Sequence, residues 1–474
     1  MRRRCPKSRA PQPRRQETAA PPPTVSIISL GCPKNEVDAE IMAGLLATAG
    51  CDFTDNPEVA DIIIVNTCAF IAPAVREAKE TLSKMSKIKA SDPSKLLICA
   101  GCLPQREKEG LYSEFPELDA VIAPDHIAQI ETIIRRLAKR RQTPRLEIAS
   151  PEYLYDHATP RLLSTPPATA YIKIAEGCLH ACSFCTIPQL RGRYRSRRPD
   201  SVVTEAEALV NLGVRELILI AQDTTAYGRD LSDGGANIAS LMAALARIEG
   251  IDWLRLMYAY PGEITDELLE VFASAKNICN YIDLPLQHSA PRILKAMRRP
   301  GAGEEYLRLI EKIRSFMPEA ALRSAFIVGF PGETEDEFRN LLRFLDNAQI
   351  DRVGAFPFYC EAGTTAADLP GQLPAAVVQE RYETLMLRQQ DIAREKNLAW
   401  IEKELDVLIE NTGDDEISGR SFRDAPEIDG QVLLEPPAPE AAIQPGEFVR
   451  ARITAATEYD LYGRIVSSQT TGAT

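Results

Sequence analysis

The chain has 474 residues, of which 45% are hydrophobic, and a formal net charge of −12. Its length suits about three domains and argues against a small disulfide-stapled scaffold, in spite of eleven cysteines. No stretch approaches the ~18 consecutive apolar residues of a membrane span, and no apolar signal segment is visible, so the expected compartment is the reducing cytoplasm.

Residues 1 to 24 carry seven Lys/Arg, one acid and six prolines. Such a composition cannot bury a core, and residues 1–23 are expected to form a disordered basic arm. An RNA-touching tail or a transit peptide would also fit its arginines; a dispensable extension is the simpler reading.

Three short branched-apolar runs come next. Residues 25–30 lead into Gly31-Cys32, residues 61–65 into Asn66-Thr67-Cys68, and residues 95–98 into Cys99-Ala-Gly-Cys102. Stretches that read as helix separate them, which is the βαβ pattern of a parallel sheet buried on both faces. Parallel strands all finish on one edge, where open α/β sheets place ligands. The three thiols therefore converge, and they suggest a metal cluster rather than scattered core cysteines. Cys99 belongs to its strand and should point into the core, which leaves Cys102 as the third ligand. Cys5, Cys51, Cys279 and Cys360 have no partners at ligand spacing.

This first α/β domain is expected over residues 24–145, with a linker at 146–165 around 142–144 and 159–167. A second domain, 166–394, repeats strand and helix about six times, with strands expected at 171–175, 216–221, 253–258, 281–286, 322–328 and 352–356. Six such units suit an open barrel better than the closed eight-stranded one. Just past its first strand lies Cys178-x-x-x-Cys182-x-x-Cys185. Three thiolates this close can hold three irons of a [4Fe–4S] cube and leave the fourth without a protein ligand. A metal with an open position is a reaction site. The alternative is a structural zinc with His180 as fourth ligand.

Two more segments fall at the same mouth. Residues 326–334 end a strand in a Gly/Pro turn, with Thr334 and Glu337 forming a capping box. Residues 284–289 bring His288 to another strand end, as a structural histidine or a ligand. Among Arg191, Arg193, Arg195, Arg197 and Arg198, one or two could bind carboxylates bidentately. Beyond residue 395, apolar runs at 405–409, 430–434 and 448–454 read as a small antiparallel β-barrel, expected over 395–468. Residues 401–474 hold 15 acids against 6 Lys/Arg, so this barrel should repel a nucleic-acid backbone and attract a basic protein.

Taken together, these motifs resemble the radical-SAM methylthiotransferases, and within them the RimO group. The resemblance spans roughly residues 24–468: CxxxCxxC is the radical-SAM signature, and three earlier cysteines with a terminal TRAM barrel are the family's layout. Gly31-Cys-Pro-Lys-Asn35, Cys99-Ala-Gly-Cys-Leu-Pro-Gln-Arg106, Glu176-Gly-Cys178 with Phe184-Cys185, and residues 419–430 look RimO-like. The tRNA-modifying MiaB branch typically has Gln-Met where this chain has Pro33-Lys34. The basic arm departs from the pattern.

The resemblance implies a [4Fe–4S] cluster on Cys178, Cys182 and Cys185 that chelates S-adenosyl-L-methionine, and a second [4Fe–4S] cluster on Cys32, Cys68 and Cys102 that carries or supplies sulfur. Phe184 would pack near the adenine, bordered by Gly329, Pro331, Gly332 and Glu333. One electron, from a reductant such as flavodoxin or ferredoxin, would give a deoxyadenosyl radical, and a second S-adenosylmethionine the methyl group. The acceptor would be the β-carbon of an aspartate in ribosomal protein S-twelve, free or in the small subunit. Nucleic acid would not be the primary contact. MiaB-like modification of a tRNA adenosine and a non-catalytic metal-stabilised scaffold are the alternatives.

Overall fold

The computed structural model describes residues 21–140, 145–148, 151–232, 235–413, 416–435 and 443–468. Most of the basic arm, including Cys5, and residues 142–144 lie outside the described residues.

The first domain is a six-stranded sheet made of β1 (Thr24–Ser29), β2 (Asp52–Phe53), β3 (Ile62–Thr67), β4 (Leu96–Gly101), β5 (Ala120–Ile122) and β6 (Arg145–Glu147). Its order is β2-β1-β3-β4-β5-β6 and every pair is parallel. All six residues of β3, Ile-Ile-Ile-Val-Asn-Thr, are buried, as a strand covered on both faces requires. The edge strands β2 and β6, and β5 beside the latter, are too short to stand out as apolar runs.

The second sheet joins β7 (Thr169–Lys173), β10 (Glu216–Ile220), β11 (Trp253–Leu256), β12 (Ile278–Asp283), β13 (Ala321–Val328) and β14 (Arg352–Pro357). Between β7 and β10 lies a two-stranded ribbon, β8 (Ala175–Glu176) with β9 (Arg195–Ser196). The order β14-β13-β12-β11-β10-β7 is sequential and wholly parallel, so the barrel is open, as six units implied. The expected strand at 281–286 is observed three residues earlier. Pro285 has no N–H for a ladder bond, so the sheet ends at Asp283.

The third domain is a closed barrel, β15 (Glu404–Thr412), β16 (Ile417–Ser421), β17 (Val432–Glu435), β18 (Phe448–Ala456) and β19 (Leu461–Ser468), ordered β15-β16-β17-β19-β18. Strands β16 and β19 escaped the pattern because Ile-Ser-Gly-Arg-Ser and Leu-Tyr-Gly-Arg carry glycine and arginine where alternation calls for branched residues.

What positions the site is how the open barrel is filled. Tyr171, Ile218, Ile220, Met257, Cys279 and Tyr281 form its inner cluster, so Cys279 is a core thiol. That cluster also takes Val37 and Ile41 from helix Pro33–Thr48 and Leu408, Ala425 and Phe448 from the terminal barrel. Helix Pro33–Thr48 has eleven of its sixteen residues buried, which a helix held between two domains needs. Residues 151–167 have no regular structure, yet Arg161 ties them to Glu40 at 2.5 Å and to Glu205.

Candidate metal centres at the mouth of the open barrel

The first cysteine triplet assembles at the carboxyl edge of three adjacent strands. Cys32 follows β1, Cys68 follows β3, and Cys102 opens helix Cys102–Glu107 directly after β4. Gly31 has φ +97°, and a Cβ there would lie 2.4 Å from the Cys68 Cβ. Only glycine permits that approach. Cys68 and Cys102 are buried and Cys32 is partly open. The three sulfurs are near enough that Cys32 and Cys68 each disfavour the Cys102 thiolate, although burial does most to push that thiol up to about 12. Cys99 is fully buried in β4 and packs in the core, as its strand position implied.

The second triplet occupies the loop between β8 and helix Ile187–Arg191. Gly177, at φ +81°, starts that loop where a Cβ would meet the Arg193 carbonyl oxygen at 2.1 Å. Ser183 fixes its middle, donating N–H to Met297 O at 3.0 Å and Oγ–H to Ala296 O at 2.8 Å. Thr186 Oγ donates to Phe70 O of the first domain at 3.1 Å. Burial pushes Cys178 up to about 11 and Cys185 up to about 12, and each interacts electrostatically with Cys182. Arg299 reaches the Cys182 sulfur at 3.8 Å and lies over the Tyr260 ring. The His180 ring stacks on Tyr260 at 3.8 Å between centroids, and its Nε2 is 2.7 Å from Asp223 Oδ2. That nitrogen is committed to a carboxylate and is not turned to the sulfurs.

Arg191 connects the triplets. It is buried, donates Nε–H to the Cys102 sulfur at 3.3 Å, and pairs with Asp38 at 2.7 Å and with Glu176 at 3.5 Å. Glu176 stands two residues before Cys178. Burial would raise its carboxyl, but Lys173 and Arg191 outweigh that and hold it well below the usual range. Lys173 pairs with Asp38 at 2.5 Å and with Glu176 at 2.6 Å. Of the five arginines after the triplet, Arg191 and Arg197 are buried on carboxylates, Arg197 on Glu205. Arg198 meets Asp200 in solvent.

The Gly/Pro turn lies beside the second triplet. Phe184 packs against the cluster containing Met297, Ile327 and Phe330. Gly329 and Gly332 adopt φ +75° and +76°, and Pro331 lies between them. The Glu333 carboxylate is turned inward, accepting the Gly329 N–H and meeting Arg381 at 3.4 Å. His288 is fully buried; its Nδ1 accepts from Ala290 N–H at 2.9 Å and its Nε2 is 3.6 Å from Glu333 Oε1. It braces the turn from behind. Asp38, Lys173, Asp223 and Tyr258 were not anticipated. Asp223 closely follows a strand end, a signal that was available; the others become neighbours only when domains meet.

Fold and triplet define a radical-SAM enzyme. The Radical SAM superfamily model matches residues 172–345, the model described as uncharacterized protein family UPF0004 matches 24–123, and the TRAM domain model matches 401–466. A relative in Syntrophotalea carbinolica named ribosomal protein uS12 methylthiotransferase RimO is 46% identical, covering 93% of this chain and 96% of its own. One of the same name in Pelotomaculum thermopropionicum is 44% identical over 93% and 99%. The solved structure of the radical S-adenosylmethionine methyltransferase TsrM from Kitasatospora setae, at 15% identity, aligns over 73% of this chain and 74% of its own with a TM-score of 0.53. That is likeness of fold alone. The chain belongs to the RimO family of radical-SAM methylthiotransferases, and it is a transferase.

Proposed function

We propose that this enzyme adds a methylthio group to the β-carbon of an aspartate in ribosomal protein uS12, the protein named for its relatives. One observation carries the reading: two three-cysteine sets share one mouth and are joined through Arg191. Each set offers three sulfurs. With His180 Nε2 engaged by Asp223, that nitrogen is not the second set's fourth donor, which suits a [4Fe–4S] cluster with one open iron. Cys178, Cys182 and Cys185 would hold the cluster that binds S-adenosyl-L-methionine, and Cys32, Cys68 and Cys102 the auxiliary one. When bound, the first cluster supplies the electron that cleaves S-adenosylmethionine to a deoxyadenosyl radical.

The chain's own residues aim and enclose. Gly329, Pro331, Gly332 and Glu333 with Phe184 would border the S-adenosylmethionine, and the inward Glu333 fixes the turn by holding the Gly329 amide. Arg191, Lys173, Asp38 and Glu176 form a buried ionic seam beside Cys102 and the loop of the second triplet. The terminal domain's excess of acids suits a basic ribosomal protein, free or assembled, better than tRNA. A small electron carrier such as flavodoxin or ferredoxin would reduce the cluster, in the cytoplasm.

The test is mass spectrometry of small-subunit ribosomal proteins from cells with and without this gene. A gain of one methylthio group on an aspartate of uS12, present only with the gene, supports the reading. An unchanged uS12 with altered tRNA nucleosides would replace it with the MiaB-like one.

A further inference from the structure

We infer that the cleft between helix Ala375–Leu398 and the terminal barrel is a docking site for an arginine side chain of the substrate protein; this rests on the ribosomal-protein acceptor proposed above. Met386, Gln389, Gln390 and Ala393 wall one side of the cleft, spaced so that they form a single stripe of the helix. The barrel walls the other side with Ile428 and with Glu458, Tyr459 and Asp460 of the turn between β18 and β19. The cavity between them has a volume of about 200 Å³, below that of a site for a drug-sized molecule and suited to one long side chain. Its walls are fixed. Thr457 donates its N–H to Asp460 O at 2.9 Å to close the turn, and Asn397 of the helix donates Nδ2–H to Thr457 O at 3.0 Å.

The chemistry of the lining selects a cation with several donors. Arg323 and Arg352, the cations of the cleft, are engaged by Asp283 at 3.0 Å and by Asp424 at 2.7 Å. Glu458 and Asp460 have no ion pair among the described residues. Gln389 is only 3% exposed and gives its Nε2–H to Ile350 O at 2.9 Å. Its Oε1 is thereby the free acceptor, and it has no hydrogen-bond partner among the described residues. Tyr459 accepts Gln390 Nε2–H at its hydroxyl at 2.6 Å, which steadies a ring that is 46% exposed. A guanidinium offers five N–H donors in one plane, enough for a carboxylate and an amide oxygen together, and its face stacks on an aromatic ring.

The cleft also leads toward the triplets. Strand β14 is the edge of its sheet and lends the cleft Arg352, Val353 and Gly354. Gly354 stands three residues, about 10 Å at the rise of a strand, before Pro357 at the mouth. Phe356 between them is exposed. A basic protein drawn in by the acidic terminal domain and anchored here would run along that open edge to the mouth.

The test is equilibrium binding of fluorescently labelled ribosomal protein uS12 to the purified full-length holoenzyme, with urea midpoint and iron content measured for each variant. Glu458→Lys is expected to weaken binding about tenfold, and Glu458→Gln and Gln389→Leu about threefold each. Glu458 is a turn carboxylate without a partner, so its two variants should keep the wild-type midpoint. Glu435→Lys makes the same change of net charge elsewhere on the barrel and should bind as wild type does. Wild-type affinity in Glu458→Lys overturns the inference. So does an equal loss in Glu435→Lys, which would reduce the effect to general attraction. A wild-type dimer that Glu458→Lys makes monomeric would give the cleft to a second copy of this chain and overturns it too. If wild type neither binds nor modifies uS12, the proposed function falls and the inference with it. Wild type that modifies uS12, beside a Glu458→Lys that binds it equally well, sinks the inference alone.

Discussion

Arg191 donates its Nε–H to the sulfur of Cys102 across 3.3 Å while the same guanidinium holds Asp38 and Glu176. A residue just after one cysteine triplet thus contacts a cysteine of the other, and it does so buried. Lysine cannot reproduce three directed contacts from one planar fork. Arg191→Lys should lower the urea midpoint, and Arg191→Met should cost about 3 kcal/mol by leaving the buried Asp38 and Glu176 to share Lys173 alone. Midpoints equal to wild type would mean that the seam does not hold the domains together.

The two triplets should separate by chemistry. Replacing Cys178, Cys182 and Cys185 with Ala is expected to abolish reductive cleavage of S-adenosylmethionine and remove about half of the iron. Replacing Cys32, Cys68 and Cys102 should remove the other half and stop sulfur insertion while deoxyadenosine still forms. Cys99→Ala should keep all the iron, because Cys99 faces the core. Deoxyadenosine from the first triple variant, or methylthio product from the second, would reverse these assignments.

Gly31 offers a subtler probe of the same site. Gly31→Ala puts a methyl 2.4 Å from the Cys68 Cβ on a backbone with φ +97°. The loop must move, so the auxiliary iron should be lost while the cleavage of S-adenosylmethionine persists. Full iron content in purified Gly31→Ala would show that the loop gives way at little cost.

The longer parallel strands, and the positions of Cys32, Cys68 and Cys102 just past three of them, were legible in the sequence because parallel strands are continuous branched runs, and βα turns bring the residues just past each strand to a common edge. Cys102 could be preferred over Cys99 by counting from the strand alone. Lys34 against Tyr258 and Arg191 against Asp38 were not legible. Their partners are 224 and 153 residues away in the chain, on elements that meet only when helix Pro33–Thr48 enters the open side of the barrel. Strand β16 was missed for a related reason. Its Arg420 and Ser421 break the apolar alternation because they serve a buried ionic contact rather than a core.

That contact makes a last prediction. Arg420 of the terminal barrel pairs with Glu216 at the start of β10. Glu216 also takes Arg255 at 2.9 Å, and Arg255 donates to Phe422 O at 2.7 Å. All three side chains are buried. Burial alone would raise the Glu216 carboxyl, but Arg420 and Arg255 outweigh it and hold it down to about 2. The unfolded chain, near 4.5, takes up a proton before the folded one does. The stabilisation is therefore complete above about 4.5 and lost as pH falls toward 2. Glu216→Gln should cost about 3–5 kcal/mol at pH 7 by leaving Arg255 without a carboxylate and Arg420 with Glu410 alone, and its deficit against wild type should shrink steadily below pH 4.5. Urea unfolding at pH 7 and pH 3 reads both. A deficit that is the same at the two pH values would mean that the carboxylate's charge contributes nothing to docking the terminal barrel.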